Sequence, residues 1–356
     1  MPFDTYKSLG RSGLKVSPLC LGTMTFGEDW GWGSSETTAR EIFEHYINAG
    51  GNFIDTADGY VNGKSEEQVG KFIQEMKNRD QVVLATKFTF SGQPGNPNAG
   101  GNGMKNMLRA LSGSLKRLQT DYVDLYWMHA WDRTTPVEEV LYSMNDLIRS
   151  GKVRYFGLSD VPSWYAAKMQ TLAQAHGLHG PIALQLEYSL VERTIEYEFT
   201  EMASECGLGL CPWSPLGSGM LTGKYNKEDL GKDGRLSKIK GSGNESSDKL
   251  FNERNWQIVD AVKKVAASEK KTAAQVALNW VATQPGVTST IIGATKTSQL
   301  QDNLGALDFE LSAESKKILA EVSAPAHIHP YVFFGAQMQS MINGGVKIER
   351  WSQQLH

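Results

Sequence analysis

"GGNFIDTADGY" (residues 50–60) joins two glycines to a short apolar run and then to a carboxylate. Glycine accepts the left-handed conformation that stops a helix, so the pair reads as the end of one. Asn52, Phe53 and Ile54 then begin a strand, and Asp55 arrives while that strand is still buried. A carboxylate there is costly to desolvate unless a cation or hydrogen-bond donors meet it. The stretch therefore reads as a helix stop, a buried strand and a polar strand end in need of a partner, with Tyr60 following five residues after Asp55.

The same unit recurs along the chain. Comparable runs are "SPLCLGTM" (17–24), "QVVLATKF" (81–88), "YVDLYWMH" (122–129), "VRYFGLSD" (153–160), "IALQLEYS" (182–189), "LGLCPWSP" (208–215) and "TSTIIGAT" (288–295). Their near-continuous hydrophobicity suits parallel strands covered on the outside by helices. Helix starts stand between them. Thr135, Pro136, Val137 and Glu138 combine an N-cap threonine, a proline at the first helical position and a glutamate at the third. Ser65 and Gln68 have the spacing of a capping box ahead of "VGKFIQEM" (69–76). Glycines in "INAGG" (47–51), "RSGK" (149–152) and "ECGLG" (205–209) mark helix ends.

Eight strands alternating with helices predict an α/β fold, a (β/α)8 TIM barrel. An open doubly wound sheet is the alternative, but its G-x-G-x-x-G signature after the first strand is absent. "YKSLGRSGLKV" (6–16) reads as a short β-hairpin ahead of the barrel. Long connections at 89–103 and 222–250 follow the third and seventh strands, which places both over the C-terminal mouth. No linker divides the chain, so one domain is expected over 1–356, with the barrel at about 16–324 and a C-terminal tail over 325–356.

At 356 residues the length suits either two average domains or one large barrel. A net charge of -3 with scattered Lys and Arg argues against a nucleic-acid partner. Cys20, Cys206 and Cys211 are few and sit in apolar contexts, which fits buried thiols in a reducing compartment. The stretch "MPFDTYKSLG" (1–10) has no apolar core of a signal sequence, and no run of about 18 apolar residues occurs. These features lead us to expect a cytoplasmic protein with no membrane partner.

In a (β/α)8 barrel the active site lies at the C-terminal strand ends. Those ends carry Thr23, Asp55, Lys87, His129, Ser159, Gln185, Trp213 with Ser214, and Gly293. One polar strand end is ordinary, because it reaches solvent. Asp, Lys and His on three successive ends, with Tyr60 just beyond the first, point to a site. Lys87 follows "VVLAT" (82–86) and needs a counter-charge, which Asp55 on the neighbouring strand supplies. A phenol titrates near 10, and a cation beside Tyr60 favours the phenolate, which would bring it toward the range of a general acid. With His129 as a second donor, the set can polarise a carbonyl and deliver a proton. Carbonyl reduction also needs a hydride, which no side chain carries.

"LGRSGLKVSPLCLGTMTFG" (9–27), "NFIDTADGY" (52–60), "VVLATK" (82–87) and "GATKTSQLQDN" (293–303) occur in that order, and on them the sequence resembles the aldo-keto reductases over nearly its whole length. "SPLGSGMLTGKY" (214–225) is similar to the bacterial and fungal aryl-alcohol-dehydrogenase-like branch. The resemblance implies an NADP(H)-dependent oxidoreductase that reduces aldehydes, aryl or aliphatic, and ketones to alcohols. Tyr60 would be the general acid in reduction and base in oxidation, Asp55 and Lys87 would tune it, and His129 would orient the carbonyl. Gly22, Thr23 and Met24 would meet the nicotinamide side, Ser159, Asp160 and Gln185 its carboxamide, and Trp213 its ring face. Ser214, Pro215, Leu216 and Gly219, with Lys224 and Arg235, would line the pyrophosphate. Gly293, Thr295, Lys296, Gln299, Asp302 and Asn303 match the positions around the adenosine and its 2′-phosphate.

Two positions depart from the family pattern. Asp160 stands where asparagine is common, and an aspartate accepts from the carboxamide but cannot donate. No arginine falls within 293–303, so the preference for NADP(H) over NAD(H) rests on Lys296 and Arg235. Trp30, Trp32, Trp131 and Tyr155 would wall an aryl or apolar substrate. "HIHP" (327–330) carries two imidazoles without an evident third ligand, so no metal is expected. The resemblance also allows a cofactor-binding regulatory subunit like the β subunits of potassium channels. A metal-dependent hydrolase barrel would need several His and Asp ligands at strand ends, and only Asp55 and His129 qualify. A homo-oligomer is left open.

Overall fold

Lys7–Ser8 (β1) and Lys15–Val16 (β2) pair antiparallel as the short hairpin ahead of the main sheet. The computed structural model describes residues 3–225, 227 and 250–348. The main sheet contains Leu19–Gly22 (β3), Phe53–Asp55 (β4), Val83–Phe88 (β5), Val123–Met128 (β6), Val153–Ser159 (β7), Ala183–Gln185 (β8), Gly209–Leu210 (β9) and Thr290–Ile292 (β10). These eight strands run in the order β10-β3-β4-β5-β6-β7-β8-β9, each pairing parallel with the next. The remaining seam joins the ends of that order. Leu210 N donates to Gly286 O at 3.0 Å, Thr288 N to Leu210 O at 2.8 Å and Ile291 N to Pro212 O at 2.9 Å. All eight runs expected as barrel strands contain one.

The hairpin lies at the opening formed by the strand N-termini. Gly10, at φ 59, sits so close to the strand starts that a Cβ would lie 2.2 Å from Ile182 O. Only glycine takes this left-handed conformation without penalty and also permits that approach.

Alternation along each strand sorts side chains into two cores. Cys20, Phe53, Val83, Ala85, Leu125, Trp127, Ala183, Cys211 and Ile291 point inward and fill the barrel. Leu21, Ile54, Leu84, Tyr126, Met128, Phe156, Leu158, Leu184 and Ile292 point outward against the helices. The interior includes the indole of Trp127, and Gly157 makes room for it: a Cβ there would meet Trp127 Cζ3 at 2.3 Å and Ala183 O at 3.0 Å. Neither neighbour can yield without moving the sheet. Gly157→Ala is therefore expected to destabilise the fold by about 1–3 kcal/mol, read as a lower midpoint in urea unfolding; an unchanged midpoint would mean the ring has space the packing does not show.

Helix ends agree with the glycine stops, whereas two starts differ from expectation. Gly50, Gly151 and Gly207 take φ 88, 74 and 72 just beyond the helices Glu36–Asn48, Val137–Arg149 and Phe199–Cys206. Thr135 does not cap Val137–Arg149: Pro136 holds the cap position and Thr135 Oγ1 donates to Asp132 Oδ2 at 2.6 Å. The nearby carboxylate outcompetes the helix end for that hydroxyl. Ser65 does not cap either, because the helix already begins at Lys64 after left-handed Gly63. Its buried hydroxyl instead donates to Thr23 O at 2.8 Å and bonds Thr56 Oγ1 at 2.9 Å, tying helix to strand. A reciprocal capping box occurs at Thr272 and Gln275, ahead of Ala273–Ala282.

The chain divides after Ser323 into two compact units. The barrel belongs to the first. The described part of the second contains a turn at Tyr331–Phe334 and a short helix, Ala336–Ile342, with Phe334 and Met341 exposed.

Candidate active site

Strand parity carries the site directly. Asp55 ends β4 two residues after inward Phe53, and Lys87 lies two after inward Ala85. His129, Ser159, Gln185, Trp213 and Gly293 continue the same alternation on their strands. One layer above the apolar filling of the barrel, six strands thus present a polar or aromatic residue inward, and the seventh presents Gly293. Thr23 breaks the pattern because it falls one residue beyond inward-facing Gly22. It is fully buried and points outward, where Oγ1 donates to Asp55 O at 3.1 Å and bonds Ser65 Oγ at 2.8 Å. Thr23 therefore supports the strand end and does not line the cleft.

Lys87 is 0% exposed, and its ammonium has three protons to place. One goes to Asp55 Oδ2, one to Thr56 O at 2.9 Å and one to Tyr60 Oη at 3.1 Å. Asp55 Oδ1 accepts from Gln185 Nε2 at 3.0 Å. Every donor of the buried cation is thereby used, and Tyr60 Oη is held as an acceptor with its own O–H left to donate. The backbone after Tyr60 turns through left-handed Val61 (φ 49) and Asn62 (φ 56). For a β-branched residue such as valine this conformation costs of order 1–3 kcal/mol, and the turn it makes brings the phenol back over Lys87.

Electrostatics divide the group. Burial pushes the Tyr60 phenol above its ordinary value, and the pull of Lys87 in the opposite direction is smaller. The expectation that Lys87 brings Tyr60 down toward the range of a general acid is thus corrected: burial outweighs the cation and the phenol stays protonated. Burial acts to lower Lys87, but Asp55 and Tyr60 outweigh it and hold the ammonium above its usual range. Burial first and Lys87 second push His129 well below the ordinary imidazole value, so the ring is neutral. His129 stands edge-on to Tyr60, with ring centres 5.9 Å apart, and its Nδ1 is buried without a partner among the described residues.

A cleft of about 1110 Å³ opens above this group. Its walls include Gly22, Met24, Asp55, Tyr60 and His129 at the deep end, then Ser159, Asp160, Gln185 and Trp213. Ser214, Pro215, Leu216, Gly219 and Lys224 follow, and Gly293, Thr295, Lys296, Gln299, Asp302 and Asn303 form the far end. Lys87 lies beneath the floor. Arg235 falls outside the described residues. Ser214, Gly217, Ser218 and Gly219 have φ of 55, 54, 55 and 96, a left-handed turn closed on itself, in which the N–H groups of Gly217, Ser218 and Gly219 donate to Ser214 O, Ser214 Oγ and Leu216 O. At the far end Asp302 accepts from the capping hydroxyl of Thr272 at 3.0 Å, and Gln299 Oε1 accepts from Thr295 N at 2.8 Å.

Among the aromatic residues, Trp30 and Trp32 line the cleft as a tilted pair with ring centres 5.7 Å apart. Trp131 and Tyr155 do not line it. Trp131 packs edge-on against Trp164 outside it, at 5.6 Å. Tyr155 precedes Ser159 by four strand residues, about 13 Å at the rise of a strand. It lines a separate cleft of about 300 Å³ near the strand starts, beside Arg11 and Arg154. Phe90 and Ser218 line the large cleft although neither was anticipated. Phe90 stands edge-on to His129 at 4.8 Å, admitted by a turn at Thr89 with φ 136 that no sequence signal announces. No cluster of three or more His, Cys, Asp or Glu suited to a metal occurs among the described residues, and none of their helices is long and apolar enough to cross a membrane.

The sequence profile of the Aldo/keto reductase family matches residues 18–324. A norsolorinic acid reductase of Aspergillus flavus is 35% identical, the alignment covering 85% of this chain and 76% of that one. An aryl-alcohol dehydrogenase of Pestalotiopsis microspora is 37% identical over 85% of this chain and 77% of its own. A probable voltage-gated potassium channel subunit beta of rice is 39% identical over 85% of this chain and 91% of its own. An eight-stranded parallel barrel, a polar group on its inward strand ends and a profile match from β3 to beyond β10 agree, and the chain belongs to the aldo/keto reductase family of oxidoreductases.

Proposed function

We propose that this protein is an NADP(H)-dependent reductase of aldehydes and ketones, aryl carbonyls foremost, that also runs as an alcohol dehydrogenase. The observation that carries the reading is the saturated Lys87 ammonium, which leaves Tyr60 one O–H to give to a carbonyl oxygen in the cleft. The cleft suits a dinucleotide with a small substrate beside it: about 1110 Å³ exceeds the roughly 300–1,000 Å³ of common ligand pockets. Its chemistry fits as well, with Trp213 offering a ring face and Lys224 and Lys296 offering charge. Lys296 has no side-chain partner among the described residues and stands at the N-cap of Thr297–Leu304, where the helix dipole adds to its attraction for a phosphate.

When bound, the dinucleotide supplies the hydride. Tyr60 donates its phenolic proton to the carbonyl oxygen as negative charge develops there. Neutral His129 offers an N–H to the same oxygen and fixes its direction. Lys87 stabilises the phenolate left on Tyr60, and Asp55 with Gln185 holds the ammonium in place. In oxidation Tyr60 takes the proton back. Trp30, Trp32 and Phe90 favour a flat apolar substituent on the carbonyl. Free Cys20, Cys206 and Cys211 suit a reducing compartment, and we assign the protein to the cytoplasm.

Titration with NADPH and NADH, followed by quenching of tryptophan fluorescence, tests the cofactor reading. NADPH is expected to bind at least about tenfold more tightly, with Lys296→Ala narrowing the gap because one phosphate contact is lost. Equal affinity would remove the role given to Lys296, and no binding of either nucleotide would sink the reductase. The rice relative's name favours a second reading as a regulatory subunit. Tight NADPH binding without turnover across an aldehyde panel would support it.

A further inference from the structure

Asp160 places a carboxylate where the family resemblance leads one to expect a neutral amide. It follows Ser159, the last residue of β7, and by strand parity should point outward. Its left-handed backbone, φ 47, folds it back into the cleft wall instead. Oδ1 there accepts from the indole Nε1 of Trp213 at 3.2 Å, and Oδ2 from Ser159 Oγ at 3.3 Å. Both donors are neutral, and no salt bridge involves this carboxylate among the described residues. Among the described residues the cation that acts on it, Lys87, is committed to Asp55, Thr56 O and Tyr60.

The charged and titratable groups facing Asp160 come from each neighbouring strand. Asp55 at the end of β4 and Lys87 on β5 compensate each other. Tyr60 is a protonated phenol, and His129 after β6 is a neutral imidazole. Beyond β8, half-buried Glu187 is pushed up to about 7, by burial first and then by Glu192 and Asp160. Ionised Asp160 therefore leaves the wall beside Trp213 with an uncompensated negative charge. The two redox forms of a nicotinamide differ in that respect: the oxidised ring is a cation and the reduced ring is neutral.

We infer that Asp160 makes this site prefer the oxidised, cationic form of the nicotinamide cofactor over the reduced form, an inference that rests on the cofactor reading above. Stabilising the bound cation also draws the hydride-transfer equilibrium on the protein toward oxidised cofactor and alcohol, relative to a site with asparagine at this position. Burial holds the carboxyl up at about 6, against smaller pulls from Trp213, Ser159 and Lys87. The charge is present above that pH and lost below it, so the preference grows as pH rises through about 6. A pyridinium against the carboxylate also expels its proton, whereas the reduced ring does not.

Dissociation constants of NADP+ and NADPH for the wild type and for Asp160→Asn, measured by calorimetry, test the inference. Asparagine tolerates the same left-handed backbone and still accepts from Trp213. Its amide meets the carboxamide of both redox forms alike, so the ratio of the two constants isolates the charge. At about pH 8 the substitution is expected to weaken NADP+ relative to NADPH about tenfold, the scale of one charge acting on another in a partly solvated cleft. At about pH 5, where a carboxyl held near 6 is protonated, the two proteins are expected to converge. Near pH 6 the wild type, unlike Asp160→Asn, should release a proton on binding NADP+, seen as a buffer-dependent heat. Glu187→Gln, outside the cleft wall, is expected to change the ratio by less than about twofold, its charge being further from the ring. An unchanged or reversed ratio in Asp160→Asn, or an equal shift in Glu187→Gln, would overturn the inference while the cofactor reading stands. Failure of the wild type to bind either nucleotide would overturn both.

Discussion

Replacing Tyr60 by phenylalanine is expected to lower kcat for aldehyde reduction by about 10²–10⁴-fold, the usual worth of a positioned general acid, with NADPH binding retained. The ring of Phe fills the same space against His129, and only the hydroxyl that Lys87 orients is lost. Steady-state kinetics with a fluorescence titration of NADPH checks both halves. If kcat survives, the proton reaches the carbonyl from another group, and neutral His129 becomes the first suspect. The same hydroxyl gives the pH profile a sign. Burial pushes Tyr60 above its ordinary value, so the acid form needed for reduction persists across neutral pH. Oxidation needs the phenolate and should accelerate as pH rises into the alkaline range, and Tyr60→Phe should abolish that rise.

Replacing Lys87 by methionine acts first on stability. Asp55 is 2% exposed, and without the ammonium its carboxylate keeps, among the described residues, only the bond from Gln185. Removing one partner of a buried ion pair costs about 3–5 kcal/mol, because the other charge stays in a medium that cannot solvate it. We expect that loss in urea unfolding of Lys87→Met, with most of it recovered in Lys87→Met combined with Asp55→Asn. The double variant should remain inactive, since Tyr60 then lacks its cation. A single variant as stable as the wild type would mean that Asp55 and Lys87 are not held as ions. Linkage places no loss of this pair's contribution at neutral pH. Lys87 is raised in the folded state, so its contribution is complete below the unfolded value near 10.4 and fades only as pH climbs through the higher folded value.

Most of the fold was legible because barrel strands announce themselves. Each expected run contains a strand, since a segment buried on both faces must be apolar along its length. The glycine stops were equally readable, because left-handed backbone after a helix selects for glycine. Helix starts were not. Thr135 and Ser65 have capping residue types, but the side chains of Asp132 and the backbone of Thr23 claim their hydroxyls, and those partners are remote or outside the motif.

By itself the sequence determined the repeating strand and helix, the inward parity that sets Asp55, Lys87, His129, Ser159, Gln185 and Trp213 in one layer, and the family. Parity is local: two residues along a strand return to the same face whatever surrounds them. Only the tertiary structure decided what lies beyond the strand ends. Thr23 turns away, while Asp160 and Phe90 turn in through left-handed backbone at Asp160 and Thr89. Tyr155 lies at the wrong end of its strand for a substrate wall, and the burial of Tyr60 outweighs the pull of Lys87. Those outcomes depend on backbone turns and on desolvation by distant segments, and both arise only when the barrel has closed around them.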